Sequence, residues 1–148
     1  MKTRTFQLLA IFIFGAGTIF AQDIPESQVP SVILNNFKKE FPKAEDIEWE
    51  LKKGEYNVEF EIGWTKDFEA WFSADGKLLR YTEDISEKEL PSKVSEAVKS
   101  KFPDYRIDDV EKIVSNGKEV YKVELERGKE DFKVFFTKSG EQVQNYNH

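Results

Sequence analysis

Carboxylates are the one chemically versatile group this sequence holds in quantity, with 28 Asp+Glu in 148 residues. Two clusters stand out: Glu45, Asp46 and Glu48, and Asp104, Asp108, Asp109 and Glu111. Calcium takes oxygen ligands of this kind. Neither cluster has EF-hand spacing, and both lack the loop glycine. Paired carboxylates also serve glycoside hydrolysis, but here most alternate along strand-like segments as an ordinary solvated face. The chain has no cysteine, and its only histidine is the last residue, His148. Without either inside the fold, a nucleophile–base pair must come from Ser and Lys. Ser95-Glu-Ala-Val-Lys99 has the wrong spacing for it. No glycine-rich loop cradles a phosphate. These observations argue against an enzyme, a cofactor and a specific metal site.

Recognition is the other chemistry on offer. Trp71 and Phe135 interrupt charged segments at matching positions. Arg80 is expected across a hairpin from Trp71, where a cation–π pair is worth ~0.5–1 kcal/mol when exposed. Glu69, Lys133 and Tyr146 fall on the same expected face, and Trp64 lies in the connecting segment Gly63-Trp64-Thr65-Lys66. Aromatic anchors with Arg nearby are typical of protein interfaces. The candidate partner-binding set is therefore Trp64, Glu69, Trp71, Arg80, Lys133, Phe135 and Tyr146. The competing reading is that these aromatics shield the sheet or pack against the other half of the chain.

The elements that position them are written twice. Ile24, Val29, Pro30, Ser31, Ile33, Phe37, Lys38, Phe41 and Pro42 return 61 residues later as Ile85, Leu90, Pro91, Ser92, Val94, Val98, Lys99, Phe102 and Pro103. Further on, Tyr56-Asn-Val-Glu-Phe-Glu61 answers Tyr121-Lys-Val-Glu-Leu-Glu126, and Phe68-Glu-Ala-Trp-Phe-Ser-Ala-Asp-Gly76 answers Phe132-Lys-Val-Phe-Phe-Thr-Lys-Ser-Gly140. The expected organisation is a leader over 1–21, one unit over 22–85 and a second over 86–148.

Each unit opens on a helix. Val29, Ile33, Phe37 and Phe41, like Leu90, Val94, Val98 and Phe102, form one apolar stripe. Pro30 and Pro91 suit the first helical turn, and Pro42 and Pro103 end the helices. Four alternating strands are expected to follow in each unit, so the fold class is α+β: two tandem α-β-β-β-β units, an antiparallel sheet with a helix packed on one face. Reading Asp75-Gly76 as a two-residue hairpin turn places Leu79 with Phe72 on the covered face and Leu78 with Trp71 on the other. In the second unit the same arithmetic puts Val143 inside, and Phe135, Gln144 and Tyr146 outside. The uncovered face is then largely charged, with Glu48, Glu50, Glu59, Glu61 and Glu69 in one unit and Lys122, Glu124, Glu126 and Lys133 in the other.

The first 21 residues have the order of a cleavable signal: Lys2 and Arg4, the apolar run Phe6–Phe14, then the small-residue stretch ending at Ala21. The run from Phe6 to Ala21 is short for a spanning helix, which needs about 20 apolar residues. Export to the periplasm or medium is expected, with no membrane insertion after cleavage and no cysteine for a lipid anchor. The chain's net charge is −6, and losing Lys2 and Arg4 makes the mature protein more acidic. That disfavours nucleic acid and anionic membranes as partners.

The leader, the Phe-Pro helix ends, the Tyr-x-Val-Glu-(Phe/Leu)-Glu strands and the Phe-x-(Ala/Val)-(Trp/Phe)-Phe-x-x-x-Gly hairpins together resemble the bacterial PepSY-like, β-lactamase-inhibitor-like family. The resemblance spans about residues 24 to 146. It implies a periplasmic or secreted binding protein with a continuous or saddle-shaped sheet. β-Lactamase inhibitor proteins of similar architecture grip their enzyme with a concave, aromatic-rich sheet face and carry disulfides, whereas this chain has no cysteine. The expected function is a non-enzymatic protein-binding module, inhibitory or regulatory, acting through the open sheet face on an unidentified protein partner. The alternative is an envelope protein that binds a small ligand or calcium.

Overall fold

The structure, a computed structural model, describes residues 22–144. The expected leader, His148 and Tyr146 lie outside the described residues. The elements in order are β1 (Gln22–Ile24), α1 (Ser31–Glu40), β2 (Ala44–Lys52), β3 (Glu55–Ile62), β4 (Asp67–Phe72), β5 (Leu78–Asp84), α2 (Ser92–Lys101), β6 (Arg106–Ser115), β7 (Lys118–Arg127), β8 (Glu130–Thr137) and β9 (Gln142–Val143). The strands form one antiparallel nine-stranded sheet in which every strand pairs with its neighbours in sequence. The α+β class and the antiparallel sheet expected from the sequence are present. β1, too short to show a period, was not anticipated.

The helices begin where proline leaves no N–H to satisfy. Pro30 and Pro91 occupy the N-caps, one residue earlier than their expected place in the first turn, and their carbonyls accept from Ile33 and Val94 at 2.9 Å each. The spacing of four along α1 drives Ile33 and Phe37 into a core with Trp49, Val58, Phe60, Ala70 and Phe72. Phe37 is its hub, with ring centroids 5.0 Å from Phe60 and 5.3 Å from Trp49, both edge-on. Edge-on aromatic pairs add about 0.5–1.5 kcal/mol each beyond area burial. A second core joins Val94 and Val98 of α2 to Val110, Val123, Leu125, Val134 and Phe136. It is mainly aliphatic, with Phe102, Tyr105 and Phe132 packed against it.

The two halves meet where β5 pairs with β6, from Arg80 opposite Ser115 to Asp84 opposite Glu111. On the helix side of this seam the Glu83 carboxylate accepts from Lys112 Nζ at 2.7 Å and Lys66 Nζ at 2.8 Å. Burial opposes ionisation of Glu83, yet the two lysines outweigh it and hold its carboxyl below the usual range. Lys66 also reaches Glu89 at 2.9 Å. Glu89 in turn closes a capping box with Ser86 ahead of α2.

The hairpin turns differ from the two-residue reading. Ser73 N donates to Lys77 O at 3.0 Å and Gly76 N donates to Ser73 O at 2.8 Å, so three residues cross the turn. Thr137 to Glu141 repeats this geometry. Gly76 and Gly140 supply the left-handed residue such loops require, at φ +89 and +83. The extra residue changes the register. Phe72 pairs with Leu78, and a bulge then restores Trp71 opposite Arg80. Leu78, not Leu79, therefore packs on the first core. For the same reason Val143 pairs with Phe135 on the face away from the helices and Gln142 pairs with Phe136 on the covered face.

Candidate functional site

Side chains alternate faces along a strand and align in rows across neighbours. The cores take Val58, Phe60, Ala70, Phe72, Val123, Leu125, Val134 and Phe136 on the helix side. The alternate residues face away from both helices. One row on this open face runs Glu48, Glu59, Glu69, Thr82, Ile113 and Val120. The next runs Glu50, Asn57, Trp71, Arg80 and Ser115. A third runs Asp84, Glu111, Lys122, Phe135 and Val143.

The expected pair is formed: the Arg80 guanidinium carbon lies 4.2 Å from the Trp71 ring centroid. Arg80 Nη1 also donates to Glu55 Oε2 at 3.2 Å, so a carboxylate engages the same guanidinium. Beneath them Asn57 is fully buried, donating to Ala70 O at 3.3 Å and accepting from Lys52 Nζ at 3.2 Å. Lys52 is ion-paired with Glu50 at 2.5 Å, the main reason its pKa is raised. Phe135 lies four strands from Trp71, about 19 Å across the sheet at ~4.8 Å per strand. Lys133, on its strand, sits opposite Glu124 with a 3.7 Å ion pair. Trp64 lies in a 3-10 turn between β3 and β4, Gly63–Thr65. Thus Glu69, Trp71 and Arg80 gather at one place, and Lys133 and Phe135 at another. Sequence and structure agree on the face of all five.

The sequence did not disclose the concavity beside them. Its volume is about 440 Å³, and eight of its lining residues are acids, among them Glu48, Glu59, Glu61, Asp67, Glu69 and Asp84. Desolvation pushes the Glu69 carboxyl up; Asn57 opposes this and Glu59 adds to it. Desolvation followed by the fields of Asp109 and Glu111 pushes Asp84 up as well. Thr82, on the same row as Glu69, is 5% exposed. Ile113 beside it is fully buried although no helix covers this face. Asp84 and Glu111 join the site only because β5 pairs with β6, a junction that spans all of α2 in sequence. The clue was the alternation Arg80, Thr82, Asp84, whose face could have been carried forward from Trp71.

Of the acidic clusters weighed for calcium, Asp46 and Glu48 of the first line the concavity together, and the second is divided. Asp109 and Glu111 face the open side of β6, whereas Asp104 precedes the strand. Among the described residues no group of three His, Cys, Asp or Glu side chains is placed to hold a metal ion. Nor, among them, is any helix long and apolar enough to cross a membrane.

Comparison with known proteins agrees with this architecture. A BLIP-like protein of Bacteroides fragilis superposes with a TM-score of 0.71 at 23% identity, over 82% of this chain and 85% of its own. A DUF2874 family protein of Bacteroides uniformis gives 0.71 at 19% identity, over 78% and 86%. A Bacteroides eggerthii protein described as "putative periplasmic" gives 0.72 at 21% identity, over 78% and 86%. At such identities the likeness speaks for the fold. No curated protein matches the sequence. The family described as "Putative beta-lactamase-inhibitor-like, PepSY-like" matches residues 19–80 and again 54–143. With the nine-stranded sheet, its two helices and both matches in place, the chain belongs to this PepSY-like, beta-lactamase-inhibitor-like family.

Proposed function

We propose that the protein is a non-enzymatic, protein-binding module, inhibitory or regulatory in effect, which grips its partner with the open face of its sheet. The observation that carries this is the Trp71–Arg80 cation–π pair on a face that no helix covers. Trp and Arg are the residues most enriched among interface hot spots. Phe135 provides a second anchor at the matching place in the other half. The family and the BLIP-like neighbour support a protein partner over a catalytic role. In this reading the leader over 1–21 exports the chain, and residues 22–85 and 86–148 are tandem copies of one unit. Export is supported by the periplasmic description of the Bacteroides eggerthii relative. The repeated order of helix, strands and three-residue hairpin supports the duplication.

The test is affinity capture from envelope extract with wild-type protein and a Trp71→Ala/Phe135→Ala variant. Loss of specific partners from the variant, at unchanged melting temperature, is the expected result. Retention of the same partners to the same salt concentration removes this face as the binding surface.

A further inference from the structure

The open face is electrically uneven. Toward β7 and β8 its acids are matched: Glu111 by Lys122 at 2.6 Å, Glu126 by Arg106 at 2.6 Å and Glu124 by Lys133 at 3.7 Å. In the concavity over β2 to β5 most are not. Among the described residues Glu48, Glu59, Glu61, Asp67, Glu69 and Asp84 have no ion-pair partner, although all line one space. Like charges confined together weaken the fold, and function is a recurrent reason such strain persists.

A second observation is independent of charge. Thr82 also lines this space, is 5% exposed, and lies on the open-face row between Glu69 and Ile113. Among the described residues its hydroxyl makes no hydrogen bond. Its oxygen is not enclosed within the protein, so its bonding capacity is open to whatever fills the acidic space it lines. A small metal ion is a poor match, because the carboxylates are not grouped for coordination. A space of about 440 Å³ suits a bulkier cation with several N–H donors.

We propose that this concavity receives a lysine or arginine side chain of the protein partner, with the carboxylates drawing it in and Thr82 accepting one of its hydrogen bonds. The inference rests on the open face being the binding surface and specifies what the partner must present to it. Trp71, two residues along β4 from Glu69 and on the same face, offers an apolar wall for the stem of such a side chain. The matched end of the face would then dock against a surface of weaker charge. Charge complementarity of this kind sets orientation and speeds encounter.

The test uses titration calorimetry of the purified protein with hexalysine, hexaarginine and hexaglutamate peptides and with calcium chloride alone, at several salt concentrations. Binding of one or both basic peptides, weakening with salt, is expected. Glu59→Gln/Glu69→Gln/Asp84→Asn should lower that affinity about tenfold or more and flatten its salt dependence. Thr82→Val should lower it a few-fold with the salt dependence kept. The control Glu124→Gln/Glu126→Gln, at the matched end, should leave it unchanged. No binding of either basic peptide, equal loss in the control, or saturable binding of calcium alone that excludes the peptides overturns the inference. If a variant loses its fold, amide-shift mapping on the wild type decides: hexalysine must shift Glu69 and Thr82 ahead of Glu124 and Glu126. A natural partner whose capture needs Trp71 and Phe135 but ignores these carboxylates removes this inference and leaves the reading of the face standing.

Discussion

Glu69 and Glu83 are both glutamates in the middle of the sheet, and their surroundings push them in opposite directions. Glu69 is desolvated among other acids, so its carboxyl binds a proton more readily in the folded state than at the ordinary 4.5. Asp84 behaves likewise relative to 3.8. A raised folded pKa means the native state takes up the proton first, so stability rises as pH falls through that raised value. Glu83, Glu119 and Glu130 are lowered, and their contribution disappears as pH falls below 4.5 through their folded values. Melting temperature is therefore expected to rise as pH falls from 7 toward the ordinary glutamate value of 4.5 and to decline as pH falls further through the lowered carboxyls. Glu69→Gln/Asp84→Asn should melt higher than wild type at pH 7 and show no such increase. A wild-type melting temperature that only declines from pH 7, together with destabilised amides, contradicts the desolvation of these two groups.

At the level of elements, each hairpin turn is pressed against the helix of its own half. Asn36 Nδ2 donates to Gly76 O at 2.8 Å. A Cβ on Gly76 would meet Val32 Cγ2 at 2.8 Å, whereas one on Gly140 would meet the Lys93 carbonyl oxygen at 2.5 Å. The first obstacle is a side chain that can move; the second is helical backbone that cannot. Both substitutions also place a side chain at positive φ, costing about 1–3 kcal/mol. Gly140→Ala should thus cost more than Gly76→Ala, ~3 kcal/mol or above against ~1–2, measurable by urea unfolding. Equal costs would mean the second hairpin yields as easily as the first. These turns also show where sequence reading stops. Apolar periods of four and two revealed the helices and most strands, because burial selects the pattern directly. Asp75-Gly76 advertises a turn but not its length, and one residue of loop exchanged Leu78 for Leu79 and turned Val143 outward. Trp71 and Arg80 survived the error because a bulge absorbed it.

The whole molecule has two cores and one sheet, so its cooperativity rests on the seam between β5 and β6. Trp49, Trp64 and Trp71 all belong to the first half. Their fluorescence reports that half alone, while far-UV circular dichroism reports both. Coincident urea transitions are expected for wild type. Glu83→Gln leaves Lys66 and Lys112 without their shared carboxylate, at a cost of about 1–3 kcal/mol, and should separate the two signals. Transitions that already differ in wild type mean that the halves unfold independently. This seam is also why the concavity was invisible in the sequence. Glu48, Glu59 and Glu69 declare a solvated face by alternation. Asp84 and Glu111 reach it only through pairing across an intervening helix, which no local period encodes.

The strand order has a consequence for how the chain can acquire its structure. Because each strand lies beside the one before it, no segment must wait for a distant partner, and contact order stays low for a sheet of this width. A chain delivered from its amino end, as through a narrow pore, can add strands to a growing edge one at a time. The aromatic core is complete once Asp84 has appeared. The edge left open at β5 is then the template on which the remaining four strands are laid.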